Sequence, residues 1–211
     1  MFDFAKAAPT FNEHIKGQLF WHEHFLRHFL PEIASVYMEP DSVMYDFGAS
    51  TGNVGLVLRD KIKERNIQFY AIEKCQEMEP YYLGNYENLI IADMLDVCIR
   101  EFSFATSILA LSFVHPSKRT DFIQKLKHQC KNGGAFLILE KMMPHGGYLG
   151  TALNRITWRN KLENGESLEQ VVYKELSLSG VQYPLCEKEL EGFKLVWAYG
   201  DFRSYIWTNG F

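Results

Sequence analysis

The chain has no surplus of basic residues: 22 Lys and Arg stand against 26 Asp and Glu, a net charge of −4. Dedicated nucleic-acid binders draw most of their affinity from phosphate contacts and carry a basic excess. That class is disfavoured, although Lys118, Arg119, Lys125, Lys127 and Lys131 could form a local basic face on one helix. Cysteine is scarce. Cys75, Cys98, Cys130 and Cys186 have no zinc-site spacing and no secretion signal beside them, so reduced thiols and a cytoplasmic location are expected. No apolar run approaches the ~20 residues of a membrane span. The opening Met1-Phe2-Asp3-Phe4-Ala5-Lys6 lacks the apolar core of a signal peptide. No Gly-Lys-Ser/Thr phosphate loop and no G-x-S-x-G elbow occurs, which removes P-loop nucleotidases and that hydrolase class. Internal repeats, low-complexity tracts and linkers are also missing.

What remains is an ordinary globular balance over 211 residues, 47% hydrophobic and 23% charged, which suits one α/β domain. Aromatics reach 15% and are read as core packing rather than as a pocket for a planar substrate. Residues 10–38 look helical and amphipathic, with Pro31 expected to break or restart the helix. His14, His22, His24 and His28 lie in this segment. His24 and His28 share a helical face, but a metal site would need further ligands, and none is expected.

Strands are expected at 42–47, 68–73, 88–93, 104–111 and 134–140, alternating with helices over 53–64 and from Pro116 to Asn132-Gly133. That alternation implies a parallel sheet with right-handed crossovers. The tail departs from it, with two helices at 149–162 and 167–178 and a short helix near 186–190. A hairpin of 193–199 and 204–208 then turns at Gly200-Asp201.

The first strand ends in Asp46 and runs into Gly48-Ala49-Ser50-Thr51-Gly52 before the next helix. Small residues let a backbone approach a ligand closely, and a helix start offers unpaired N–H groups. Glu73 ends the second strand and Asp93 the third. Ligands of open α/β sheets bind at the carboxyl ends of the strands, so three acids there converge on one crevice. The spacing fits S-adenosylmethionine: Asp46 faces the ammonium of the methionine half, Glu73 the ribose hydroxyls, and Asp93 the adenine amino group. A nicotinamide dehydrogenase fits less well, because Ser50 replaces the middle glycine of G-x-G-x-x-G and Asp46 would repel pyrophosphate. His115 and Tyr148 are general-base candidates near the expected mouth, and no catalytic residue is assigned.

These residues resemble class I S-adenosylmethionine-dependent methyltransferases, and more narrowly the carboxy-S-adenosylmethionine synthase family of tRNA wobble-uridine modification. The likeness is carried by Asp46-Phe47-Gly48-Ala49-Ser50-Thr51-Gly52, Ala71-Ile72-Glu73 with Met78, Asp93-Met94-Leu95-Asp96 and Pro116-Ser117-Lys118-Arg119. Gly133-Gly134-Ala135 and Leu139-Glu140-Lys141 extend it, as do Phe11-Asn12-Glu13 and Asn164-Gly165. The resemblance implies a Rossmann-like seven-stranded sheet with helices on both faces. Its expected parts are a helical N-terminal cap (1–40), a cofactor-binding core (42–141), a helical insertion (148–192) and a closing antiparallel hairpin (193–211). Expected cofactor residues are Asp46, Gly48, Ala49, Ser50, Gly52, Glu73, Lys74, Asp93, Met94 and Ser112. S-adenosyl-L-methionine would be the cofactor and S-adenosyl-L-homocysteine the product.

One departure bears on the reaction. Where the synthases have a Lys-Arg pair, this chain reads Lys174-Glu175, and Glu175 is expected to repel the extra carboxylate that the family's arginine pairs with. A methyltransferase reaction is therefore expected. A synthase with an altered carboxylate site and a cofactor-binding interaction protein with little turnover are the alternatives. The acceptor stays open between RNA and a small molecule, a homodimer is compatible with the sequence, and no membrane partner is expected.

Overall fold

The computed structural model describes residues 4–84 and 88–210; the first three residues of the expected cap and Phe211 of the expected hairpin lie outside them. Seven strands form one sheet in the order β3-β2-β1-β4-β5-β7-β6. They are β1 (Val43–Phe47), β2 (Gln68–Glu73), β3 (Leu89–Ile91), β4 (Phe102–Ile108), β5 (Cys130–Lys141), β6 (Lys194–Tyr199) and β7 (Phe202–Thr208). Pairing is parallel from β3 through β5, and β7 runs antiparallel to both β5 and β6. The chain leaves β1 towards β2 and β3 on one side, while β4 and β5 lie on the other. Such a reversal of strand order opens a crevice at the carboxyl ends of β1 and β4.

Both faces of the parallel strands are covered, as their near-continuous apolar sequences require. Met44, Phe69, Phe104 and Leu137 point to one face and meet Leu26, Leu30 and Val54. Tyr45, Phe47, Phe136 and Ile138 point to the other and meet Phe122, Ile123 and Leu126 of α7 (Pro116–Gln129). The N-terminal helices are α1 (Phe4–Ala7), α2 (Phe11–Gln18), α3 (Trp21–His24) and α4 (Leu30–Tyr37), and α8 (Gly147–Glu163) and α9 (Leu168–Ser177) lie between β5 and β6.

Several boundaries differ from expectation. Pro31 does not break the helix but stands in the first turn of α4, where the chain restarts as α-helix. The segment Phe25–Phe29 widens into a π turn between α3 and α4, which accommodates the hydrogen bond that proline cannot donate. The helix after the glycine loop is two short helices, α5 (Asn53–Val57) and α6 (Arg59–Glu64), bent at the fully buried Leu58. Its ladder continues, Leu58 N–H to Val54 O and Ile62 N–H to Leu58 O, so the break is a bend and not a loop. Strand β4 stops at Ile108, and Leu109 then takes a left-handed φ of 57° before the turn Leu111–Phe113. Asn132-Gly133 does not cap α7, which ends at Gln129. Gly133, φ 79°, sits inside β5, where its N–H donates to Asn209 O and Asn209 Nδ2 donates to Cys130 O.

Arg119 is fully buried at the start of α7. Its Nε donates to Leu111 O at 3.0 Å and Val114 O at 2.9 Å, Nη2 donates to Tyr183 O, and Nη1 pairs with Glu189 Oε1 at 3.0 Å. One side chain thus ties the turn after β4 to the segment that follows α9. Removing one partner of a buried pair leaves the other charge uncompensated. Arg119→Met is expected to lower unfolding free energy by about 3–5 kcal/mol, read from urea titrations; a change within experimental error would mean that the carbonyl contacts carry no weight.

Candidate functional site

A cavity of about 640 Å3 opens at the carboxyl ends of β1 to β4. Asp46, Glu73 and Asp93, expected to converge, all lie on its wall. Glu73 holds the loop in place: Oε2 accepts the Ser50 N–H and Oε1 the Cys75 N–H, each at 2.7 Å. Asp93 Oδ1 accepts the Leu95 N–H at 3.0 Å and Oδ2 pairs with Lys74 Nζ at 2.7 Å. Burial raises the Asp93 pKa, but Lys74 and the Leu95 N–H outweigh it and hold the carboxyl below its usual range.

Asp46 is buried, with Oδ1 accepting the Thr106 hydroxyl at 2.8 Å. Burial pushes its pKa up to about 7; the Thr106 hydrogen bond opposes that rise and the Glu73 charge adds to it. Among the described residues, no cation is one of the groups that shift it.

The loop's glycines answer to neighbouring side chains. A Cβ on Gly48, φ 80°, would come within 2.3 Å of Ala110 Cβ, and one on Gly52, φ 80°, within 2.6 Å of the Tyr82 ring. Real Cβ atoms do not approach so closely, so either substitution displaces protein before it meets a ligand. The loop N–H groups are used internally: Gly48 and Ala49 donate to Ile72 O, Ser50 to Glu73, and Gly52 to Ala49 O. Asn12 Oδ1 accepts both the Thr51 hydroxyl and Asn53 Nδ2 at 2.8 Å, fastening α2 to the loop.

No family model matches this chain. The carboxy-S-adenosyl-L-methionine synthase of Staphylococcus epidermidis is 27% identical over 98% of this chain and 91% of its own length. The enzyme of the same name from Shewanella woodyi is 29% identical over 85% of this chain and 76% of its own. The crystal structure of an S-adenosylmethionine-dependent methyltransferase from Clostridium acetobutylicum superposes with a TM-score of 0.58 at 12% identity, over 96% of this chain and 99% of that one. The chain has the class I S-adenosylmethionine-dependent methyltransferase fold, and its sequence is similar to carboxy-S-adenosyl-L-methionine synthases.

On this methyltransferase fold, Gly48, Ala49, Ser50, Lys74 and Met94 stand on the cavity wall beside the three acids. Two expected cofactor residues do not. Gly52 lies behind the loop against Tyr82, and Ser112 is fully buried under the wall with its carbonyl accepting the Tyr183 N–H. His115 reaches the mouth with Nδ1 2.8 Å from Ser117 Oγ, whereas Tyr148 is 97% exposed on α8 and off the wall. His24 and His28 have ring centroids 4.8 Å apart with the rings tilted by 42°, and among the described residues no group of three or more His, Cys, Asp or Glu could hold a metal ion. The basic face does not assemble. Arg119 is buried, Lys125 and Lys127 donate to Val97 O and Glu191 O, Lys131 pairs with Glu39, and Lys118 turns to the cavity.

Glu175 corrects the strongest expectation against the relatives' chemistry. It lines a second cavity of about 130 Å3 that shares Phe4, Phe11, Ile15, Leu109 and Phe113 with the first. There Lys161 Nζ lies 2.9 Å and Lys141 Nζ 3.3 Å from its oxygens. Burial acts to raise its pKa, but the two lysines prevail and lower it. A carboxylate shared by two ammonium groups does not present bare negative charge.

Three contributors escaped sequence reasoning. His22 was one histidine among four, yet it lies on the cavity wall. Asn12 stood inside a quoted motif with no role. Glu140, at the end of β5, is fully buried and accepts the Leu111 N–H at 2.5 Å, with burial raising its pKa to about 7. An acid at a strand end was the available signal for Glu140; no local signal pointed to the other two.

Asp46 gives a pH test. The folded protein binds its proton near pH 7 and the unfolded chain near 3.8. Between those values the native state holds the extra proton, so stability falls as pH rises through that window and stays lowered above pH 7. Asp46→Asn lacks this loss. It should be more stable than wild type at pH 8 by roughly 2–4 kcal/mol, with the gap closing towards pH 4. Denaturant titrations at both pH values check this, and an unchanged gap would assign the titration elsewhere.

Proposed function

We propose that this protein is an S-adenosyl-L-methionine-dependent methyltransferase acting on a small molecule in the cytoplasm. The observation that carries the reading is the presence of Asp46, Glu73 and Asp93, at or just past the ends of three successive strands, on the wall of one cavity. The cavity's size falls in the range of about 300–1,000 Å3 that ligand sites occupy. A buried carboxyl with raised pKa, acted on by no cation among the described residues, also suits a ligand that brings its own positive charge.

When bound, the cofactor supplies a methyl group already activated by its sulfonium. The chain's own residues then bind and orient. Asp46 would hold the ammonium. Glu73 would take the ribose hydroxyls, since each of its oxygens accepts one N–H and keeps a second lone pair. Asp93 would take the adenine amino group, while Phe11, Ile15 and Phe113 keep water from the reacting end. The dispersed lysines favour a small acceptor over RNA. A homodimer belongs to this reading, and Leu168, Tyr173 and Leu176 on α9 leave exposed apolar surface for it.

A second reading is a carboxy-S-adenosyl-L-methionine synthase with an altered carboxylate site. The Lys141–Glu175–Lys161 cluster supports it, because it removes the repulsion that argued against a carboxylate.

Native mass spectrometry of the purified protein should find S-adenosyl-L-methionine or its demethylated product, and labelled methyl should pass to a metabolite fraction rather than to RNA or protein. Accumulation of carboxylated cofactor from added prephenate, the carboxyl donor that the resemblance to the synthase family implies, would promote the second reading, and binding without turnover on any fraction would favour an interaction role. Glu73→Ala should weaken cofactor binding at least about tenfold in calorimetry; unchanged affinity would take the ribose role from it. Gly48 is unsuitable as a probe because Ala110 fills the space of its side chain.

A further inference from the structure

We infer that the smaller cavity holds the acid group of the methyl acceptor, a small carboxylic acid with a hydroxyl or amine beside the acid and an apolar body. This rests on the methyltransferase reading above. The cavity's volume of about 130 Å3 is below the about 300–1,000 Å3 of a site for a whole ligand. It adjoins the larger cavity through Phe4, Phe11 and Phe113, which line both. It therefore takes one end of a molecule whose remainder lies among those rings. Asp46, Glu73 and Asp93 line the larger cavity and not the smaller one, so the two sites divide the cofactor from the acid.

Polar groups on the smaller cavity's wall leave hydrogen bonds unmade. Lys161 is 5% exposed, and its ammonium carries three N–H donors. Among the described residues its side-chain partner is Glu175 Oε1 at 2.9 Å, which leaves two of them. Gln18, the last residue of α2, is 8% exposed, and its Oε1 has no partner among the described residues. Buried polar groups are ordinarily hydrogen-bonded, and an unmet one is costly. The cavity thus offers N–H donors and a carbonyl oxygen together, which a carboxylate with a neighbouring hydroxyl or amine satisfies.

Charge selects the sign of the ligand. Lys141 at the end of β5, Lys161 on α8 and Lys174 on α9 line this cavity, and Glu175 is the one acid among its described lining residues. Glu175 is already shared by Lys141 and Lys161. An arriving anion brings the set nearer to balance, whereas a cation adds to the excess. Leu19, Leu109, Leu178 and Phe202 complete the wall with apolar surface, which suits the single charge and attached carbons of a carboxylic acid better than the heavier charge of phosphate.

The test uses phenyllactate, which has the acid, the neighbouring hydroxyl and an apolar ring. Its neutral amide and phenylpropanoate, which lacks the hydroxyl, are the controls. Calorimetry is run on protein saturated with S-adenosyl-L-homocysteine. Wild type should bind phenyllactate at least about tenfold more tightly than the amide and about fivefold more tightly than phenylpropanoate. Lys161→Met should lose most of the first preference and Gln18→Met most of the second. Both should keep wild-type affinity for S-adenosyl-L-homocysteine, because neither residue lines the larger cavity. Equimolar inorganic phosphate should not displace phenyllactate. If Lys161→Met fails to fold, Gln18→Met and the wild-type series decide. Four results overturn the assignment and leave the cofactor reading standing: no preference for the acid in wild type, both preferences intact in the variants, displacement by phosphate, or exclusion of phenyllactate by S-adenosyl-L-homocysteine. Wild type that does not bind S-adenosyl-L-homocysteine removes the cofactor reading, and the acceptor's role with it.

Discussion

Glu73 receives one backbone N–H from each side of the junction between β1 and β2, Ser50 from the loop and Cys75 from the end of its own strand. Hydrogen bonds to a carboxylate are roughly twice as strong as neutral ones. They hold Ser50 in a left-handed conformation, φ 50°, that a non-glycine residue adopts only when its surroundings impose it. The consequences spread outward. With Ser50 fixed, Gly48 and Ala49 can share the Ile72 carbonyl, Gly52 closes the turn onto Ala49, and Thr51 and Asn53 point at Asn12. The loop is a braced platform, and its rigidity comes from an acid that sequence reasoning assigned to the ligand alone.

Around that platform the molecule buries ionisable groups where α/β sheets place their chemistry. Asp46, Glu140 and Arg119 are each almost completely enclosed at the strand ends or in the turn just beyond. Arg119 is surrounded by carbonyls and Glu189, so its charge is met. Asp46 and Glu140 lack such compensation, and burial raises both pKa values to about 7. Glu140 supports the turn after β4 by accepting the Leu111 N–H, and Leu109, strained at φ 57°, brings that turn to the cavity wall. The site thus holds less favourable states of backbone and charge, offset by two well-packed sheet faces.

The sheet was legible because its strands are apolar, short and punctuated, and because the acids at or just past the ends of β1, β2 and β3 are visible at fixed places in the chain. Boundaries failed where tertiary contacts overrode local signals. Gly133 looked like a helix cap, but the partner that uses its left-handed backbone is Asn209, remote in sequence. Pro31, expected to break or restart the helix, stands in the first turn of α4 directly after a π turn. At the site, residue type located Asp46 and Asp93 but could not tell that Ser112 would face inward or that Gly52 answers to Tyr82. Glu175 was read by charge alone; Lys141 and Lys161, which change its meaning, stand on β5 and α8 and meet it only in the folded chain.

The fastening of the N-terminal segment sets the order in which this molecule can be completed. Asn12 is tied to Thr51 and Asn53 across 39 and 41 residues, while His14 meets Lys174 across 160. The first tie becomes available once the loop after β1 has been synthesised, and the second only after most of the chain exists. Closing such long loops adds little entropy cost, since that cost grows with the logarithm of length, but it delays contact formation. The cavity's floor can therefore assemble during synthesis, whereas the roof provided by Phe11 and Ile15 is secured at both ends only when α9 has emerged.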